Sequence, residues 1–314
     1  MIFWASSIAK YNIYLEINLD ITSELFNDKK IMSKRLLVIG GSGELGYQIL
    51  KNPNSWKTFA TYYANKLNLN NVDSFRLDIT NKTDVEQLIT NIKPHVVINC
   101  AVSDRSINNI ESDKDKKIAI VEGSLNIAHA CNKIGRRSIF ISTDLIFDGM
   151  KGNYTESDVP NPMMDYGIYK AEMERELLTL DYNLAIVRTS LIITLDPLGH
   201  QVSWIADSIK NDVQLNLFTD EYRSPIFGDD LANAILELAD TDYRGLINIA
   251  GPEAINRYDL GCRIANHFGL DTDLLKPVKA KQLNLKRPHS CSLDSSKATN
   301  MLNTLINPIN KSFT

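Results

Sequence analysis

The chain has 314 residues, 44% of them apolar and 23% charged, with a formal net charge of −4, enough to bury the core of one large or two modest domains. That balance offers no basic stripe for nucleic acid and no polybasic segment for a membrane surface. No apolar run approaches the ~18–20 residues that span a bilayer. The four cysteines, Cys100, Cys131, Cys262 and Cys291, lack the CxxC spacing of a zinc site or a disulfide framework.

The opening "MIFWASSIAKYNIYLEINLD" starts apolar, but no basic residue stands ahead of the apolar stretch and Lys10 and Glu16 follow soon after, which argues against a secretion signal. Residues 1–31 are expected to be an appendage to the core, with Met32 a natural start for a domain that begins with a strand. From there, short runs rich in β-branched residues alternate with segments of helical period. The runs are 35–41, 56–63, 73–79, 95–102, 137–143, 184–190 and 245–251. The helical segments are 44–52, 84–92, 124–134, 166–180, 229–240 and 257–268. Such alternation implies parallel pairing with both faces covered, a doubly wound α/β (Rossmann) sheet. The pattern loosens at 194–225 and after 252, where Pro197, Pro225, Pro252 and Pro288 punctuate the chain. The expected organisation is a dinucleotide-binding domain, 32–193 plus 226–251, and a smaller substrate lobe, 194–225 plus 252–314.

The first run ends in "GGSGELG" and a helical segment follows. Gly40, Gly43 and Gly46 fit GxxGxxG, and Gly41, Gly43 and Gly46 fit GxGxxG. A dinucleotide needs such a turn, because a pyrophosphate must approach the backbone closely and meet the free N–H groups of a helix amino end. The carboxylate that would hold the ribose 2′-hydroxyl of NAD is expected about 20 positions on. Thr61, Tyr62 and Tyr63 stand there and Lys66 follows, which leans toward a 2′-phosphate and so toward NADP. Asp78, in "RLDIT", either meets the adenine edge or caps the next helix.

Ligands in such folds sit outside the carboxyl ends of the strands, and the fifth run ends in Ser142 and Thr143, followed by Asp144. Further on, "YGIYK" places Tyr166 and Lys170 on one helical face with Tyr169 elsewhere. Taken alone, that pair is equally helix surface.

A hydroxyl at the sheet edge followed 23 residues later by Tyr-x-x-x-Lys resembles the short-chain dehydrogenase/reductase superfamily. "RLDITNKTDVEQLITNIKPHVVINCAV", "ISTDLIFDGMKGNYTESDVPNP", "VRTS", "FTDEYRSPIFGDDLANAI" and "GPEAINRYDL" look like the extended members that act on nucleotide sugars, in the dTDP-4-dehydrorhamnose reductase branch. The resemblance runs over about residues 34 to 300. It implies hydride delivery from NADPH, with NADH also admitted, to a sugar ketone. Tyr166 would donate the proton, Lys170 would stabilise the phenolate and reach the nicotinamide ribose, and Thr143, backed by Ser142, would orient the carbonyl.

The same resemblance implies a cofactor lined by Gly40, Ser42, Gly43, Glu44, Leu45, Gly46, Asp78, Ile79, Cys100, Ala101, Tyr166 and Lys170. It implies a nucleotide sugar met by Ser103, Ser142, Arg223 and Arg287. Related dehydratases carry a glutamate after the "STD" aspartate, where this chain has Leu145, so simple reduction is expected in place of water loss. Two positions depart from the family pattern. Ile120 stands where an asparagine supports a proton relay, and Leu191 where the reductases carry an aromatic. His200 and His289 read as loop residues. The alternatives are a non-catalytic cofactor-binding subunit resembling the β subunit of methionine adenosyltransferase, and a nucleotide-sugar epimerase. A cytoplasmic location is expected, and the resemblance leaves room for a homodimer.

Overall fold

The computed structural model describes residues 34–53, 55–102 and 113–312, so expectations for residues 1–31 and for Ser103 lie outside the described residues. All seven apolar runs become strands of one sheet: β1 (Arg35–Ile39), β2 (Lys57–Tyr62), β3 (Asp73–Arg76), β4 (Val96–Asn99), β5 (Arg137–Thr143), β6 (Leu184–Thr189) and β11 (Gly245–Asn248). Their order is β11-β6-β5-β4-β1-β2-β3 and every pairing is parallel. The chain thus starts near the middle of the sheet, winds outward to β3, and returns across β4 to the other edge.

Strand alternation divides the core into two apolar layers. Leu36 and Val38 of β1 join Leu45, Ile49 and Leu50 of α1 (Glu44–Lys51) and Leu231, Ile235 and Leu238 of α7 (Gly228–Ala239) on one face. Leu37 and Ile39 face the other way, onto α2 (Lys82–Ile92), α4 (Glu122–Lys133) and α5 (Asp165–Leu178). A further helix, α3 (Asp113–Ile120), precedes α4.

A third apolar cluster lies apart from the sheet. It is built from β7 (Ile192–Ile193), α6 (His200–Lys210), β8 (Leu215–Phe218), β10 (Ile226–Phe227), β12 (Ile255–Asn256), α8 (Arg257–His267) and β13 (Leu275–Val278). Three two-stranded sheets pair β7 with β10, β8 with β13, and β9 (Tyr222–Arg223) with β12. His200, read from sequence as a loop residue, in fact opens α6. Val202, Ile205, Ala206 and Ile209 carry the helical spacing there, and the Pro197–Gly199 break just ahead had obscured it.

The tail returns to both parts of the fold. Tyr154 N–H donates to Ser292 O and Asp294 N–H to Tyr154 O, while Cys291 N–H donates to Tyr222 O. Further on, Glu237 of α7 accepts from Asn303 and Thr304, and Ile309 is fully buried in the third cluster. Leu37 is also fully buried, so Leu37→Ala is expected to lower unfolding stability by about 2–5 kcal/mol through lost burial and a residual cavity, measured as a shift in the urea midpoint at unchanged m-value.

Candidate active site

The turn after β1 is shaped by what glycine lacks. Gly40 has φ +77°, and a Cβ there would lie 2.7 Å from the Ala101 amide nitrogen, so both the conformation and the space require glycine. A Cβ on Gly46 would run into the Gly40 carbonyl. Gly43 is exposed and caps α1 without a side chain, leaving the helix amino end open to a phosphate. These residues fit a dinucleotide pyrophosphate. Glu44 is engaged elsewhere: its carboxylate accepts from Thr194 Oγ1 at 2.6 Å and from the His200 amide at 3.3 Å, which ties the turn to the start of α6. Ser42 is half-buried in the same turn, and Leu45 is buried in the core.

At the end of β2, the Thr61 hydroxyl accepts the Gly40 N–H at 3.2 Å and Thr61 O accepts the Gly41 N–H at 2.8 Å. Asp78 accepts from the Thr80 amide and hydroxyl at 2.9 and 2.7 Å, a local turn contact in place of a helix cap. The cap of α2 is Asn81, whose side chain accepts from the Thr83 and Asp84 amides. Ile79 packs between β3 and α4, where a Cβ on Gly123 would collide with it.

Cys100 and Ala101 follow β4 directly, and Ala101 abuts Gly40, so the ends of β1 and β4 meet. Burial pushes the Cys100 thiol up to about 12. Ile120 is buried, and its carbonyl accepts from Ser124 Oγ at 2.7 Å, which in turn accepts from Asn99 at 3.2 Å. Leu191 packs on the third cluster.

The end of β5 and helix α5 carry the three residues expected to be catalytic. Lys170 is buried and its Nζ donates to Ile141 O at 2.8 Å. Tyr166, one turn earlier, is half-buried and packs on the second layer. Thr143 Oγ1 accepts from the Leu145 amide and donates to Asp144 Oδ1, both at 3.2 Å, the latter long for an O–H···O bond. Ser142 points the other way, donating at 2.5 Å to Glu174, one further turn along α5. Glu174 is locked by Arg188 of β6, which donates through Nε at 3.1 Å and Nη2 at 2.7 Å, with both side chains 2% exposed.

Asp144 is fully buried and ion-paired with Arg223, and it also accepts from Ser190 Oγ at 2.6 Å. Burial works against the Arg223 charge, but Asp144 more than offsets it and raises the guanidinium above its ordinary value. Arg287 is more open. It pairs with the buried Glu221 at 2.8 Å, lies over the Phe218 ring, and reaches Met164 Sδ at 3.8 Å, just ahead of α5. Sequence reasoning missed Arg257, at the start of α8. Its pKa is lowered to about 10 by burial and by the neighbouring Arg223 charge, and its Nη1 has no hydrogen-bond partner among the described residues.

A seven-stranded parallel sheet with a glycine turn at its first crossover, and Tyr-x-x-x-Lys on the helix against β5, defines an extended short-chain dehydrogenase/reductase. The chain belongs to the family described as "RmlD substrate binding domain", whose profile matches residues 34–312. It is 31% identical over 242 residues to a dTDP-4-dehydrorhamnose reductase of Aggregatibacter actinomycetemcomitans, covering 73% of this chain and 78% of that one. The β subunit of methionine adenosyltransferase 2 of Xenopus tropicalis is 28% identical over 284 residues, covering 86% and 83%. Among solved structures, dTDP-4-dehydrorhamnose reductase of Bacillus anthracis in complex with NADP superposes with a TM-score of 0.77 at 22% identity, covering 90% of this chain and 98% of that one.

Two outcomes test this geometry. Glu174→Gln strands the Arg188 charge in the core, and is expected to cost about 3–5 kcal/mol, while Glu174→Leu with Arg188→Met recovers much of that loss; denaturant titration of the three proteins measures it. The Cys100 thiol has an ordinary value of 9.0 and keeps its proton to about 12 in the fold. Between those limits the unfolded chain releases the proton and the native one retains it, so this group's contribution to stability falls as pH rises. Near pH 8, iodoacetamide should alkylate Cys100 far more slowly in the native protein than in guanidinium, read by mass spectrometry.

Proposed function

We infer that this protein is an NAD(P)H-dependent reductase of a nucleotide-linked 4-keto-6-deoxy sugar, of the dTDP-4-dehydrorhamnose reductase type. The observation that carries the reading is Lys170, held by its Nζ on the Ile141 carbonyl two residues before Thr143, with Tyr166 one helical turn away. The bound nicotinamide supplies the hydride. Tyr166 hands its proton to the ketone oxygen as that oxygen becomes a hydroxyl, and the Lys170 ammonium offsets the phenolate charge left behind. Thr143 releases its long bond to Asp144 and turns its hydroxyl to the same oxygen, fixing the angle of attack. Asp144 is closed inside its ion pair with Arg223, so it is not free to act as the acid of an elimination, in keeping with simple reduction.

The lobe of 194–225 plus 252–314 receives the nucleotide sugar, with Arg287 at its mouth and Arg257 behind. Ser142 and Arg223 act on the substrate only through the groups they hold, since Glu174 and Asp144 occupy them. None of the described helices is long and apolar enough to cross a membrane; a cytoplasmic location is part of this proposal. A homodimer is compatible with this reading and is tested by sedimentation.

NADPH oxidation with dTDP-4-dehydro-6-deoxy-L-mannose is the direct assay. Tyr166→Phe is expected to lower kcat by about 10²–10⁴-fold with NADP⁺ affinity unchanged; equal rates in the two proteins overturn the mechanism. The likeness to the methionine adenosyltransferase β subunit supports a second reading, a cofactor-binding subunit without turnover. NADP⁺ binding with no oxidation of NADPH across a panel of nucleotide-linked keto sugars selects it. An epimerase would instead carry its nicotinamide cofactor through purification.

A further inference from the structure

The carboxyl ends of β2 and β3 carry a feature that the reading above does not use. Leu77 N–H donates to Tyr62 O at 2.9 Å, and Tyr62 pairs in register with Arg76, the last residue of β3. Arg76 folds back over the next residue, Tyr63. Its Nε donates to Tyr63 O at 3.2 Å and its guanidinium carbon sits 5.8 Å from the centre of the Tyr63 ring. Both side chains are exposed, Tyr63 by 55%. Neither terminal nitrogen of Arg76 has a hydrogen-bond partner among the described residues.

This platform stands where the adenosine ribose of a dinucleotide falls, beside the glycine turn and at the end of the second strand. The hydroxyl of Thr61 is spent on the Gly40 amide, and no carboxylate stands at Tyr62 or Tyr63 to grip a ribose 2′-hydroxyl. What remains is a planar cation on an exposed side chain, oriented by an aromatic face and one backbone bond. That is the donor set for a phosphate dianion, which a guanidinium meets with two parallel hydrogen bonds. Lys66, the cation favoured from sequence, is exposed and makes no contact comparable to the Arg76 platform.

We propose that Arg76, seated on Tyr63, binds the 2′-phosphate of the adenosine ribose and sets the preference of this enzyme for NADP(H) over NAD(H). The proposal deepens the reductase reading and rests on its dinucleotide site, but its test reads binding and needs no turnover. Isothermal titration of the full chain with 2′,5′-ADP and 5′-AMP, and with NADP⁺ and NAD⁺, compares the native protein with Arg76→Ala, Arg76→Lys and Lys66→Ala. The expected result is that Arg76→Ala weakens 2′,5′-ADP and NADP⁺ by about tenfold or more, the scale of lost charge-assisted hydrogen bonds, and leaves 5′-AMP and NAD⁺ within about twofold. Arg76→Lys restores part of the loss, and Lys66→Ala changes the ratio little. A native protein that binds NADP⁺ and NAD⁺ alike overturns the assignment. So does a ratio that follows Lys66, or one that Arg76→Ala leaves unaltered. These affinities are read without turnover, so a protein that binds NADP⁺ through Arg76 yet oxidises no NADPH fails the catalytic reading alone, and the two failures are told apart.

Discussion

The arrangement depends on one buried charge pair beneath helix α5. Glu174 accepts from Arg188 and from Ser142 with almost no exposure to water, and one turn earlier Lys170 is fastened to the Ile141 carbonyl. Three consecutive residues of β5 therefore serve one helix and one cleft. The carbonyl of 141 takes the lysine, the side chain of 142 takes the glutamate, and Thr143 ends the strand. Because neighbouring side chains on a strand point to opposite faces, pulling Ser142 into the core turns Thr143 outward. Buried ion pairs add little net stability but punish misregistration heavily, and a shift of one residue would part Ser142 from Glu174 and the Ile141 carbonyl from Lys170.

A second buried pair performs the corresponding task between the sheet and the smaller lobe. Asp144, directly after β5, meets Arg223 of β9, while Ser190 bridges from the end of β6 to the Ser224 amide. The lobe is thus anchored at the residue that directly follows β5. Arg257 feels the opposing charge of the neighbouring Arg223, and Arg287, more open than Arg223, pairs with Glu221.

The sheet was legible because central parallel strands covered on both faces must be continuously apolar, so β1, β4 and β6 stand out as runs, whereas β3 (DSFR) at the sheet edge is partly exposed. Glycine at 40 and 46 was legible for a similar reason, since sterics allow nothing else there. Helix α6 was not, because its apolar face begins only after a proline and a glycine. The partners of acids were least legible. Asp144 and Arg223 lie 79 positions apart and Glu174 and Arg188 only 14, and neither spacing has a periodic signature. Ser142 and Arg223 were expected to face the substrate, and the structure gives each a buried acid. Arg76 escaped notice because the sequence test for the ribose site examines the end of the second strand, whereas the cation arrives from the third.

The tail's return has a temporal consequence for a chain made from its amino end. The loop around Tyr154, ahead of α5, is held by Ser292 and Asp294, and Ile309 closes the core of the third cluster. Those residues are made after all seven strands of the sheet, so the sheet can form during synthesis before the Tyr154 loop gains its braces.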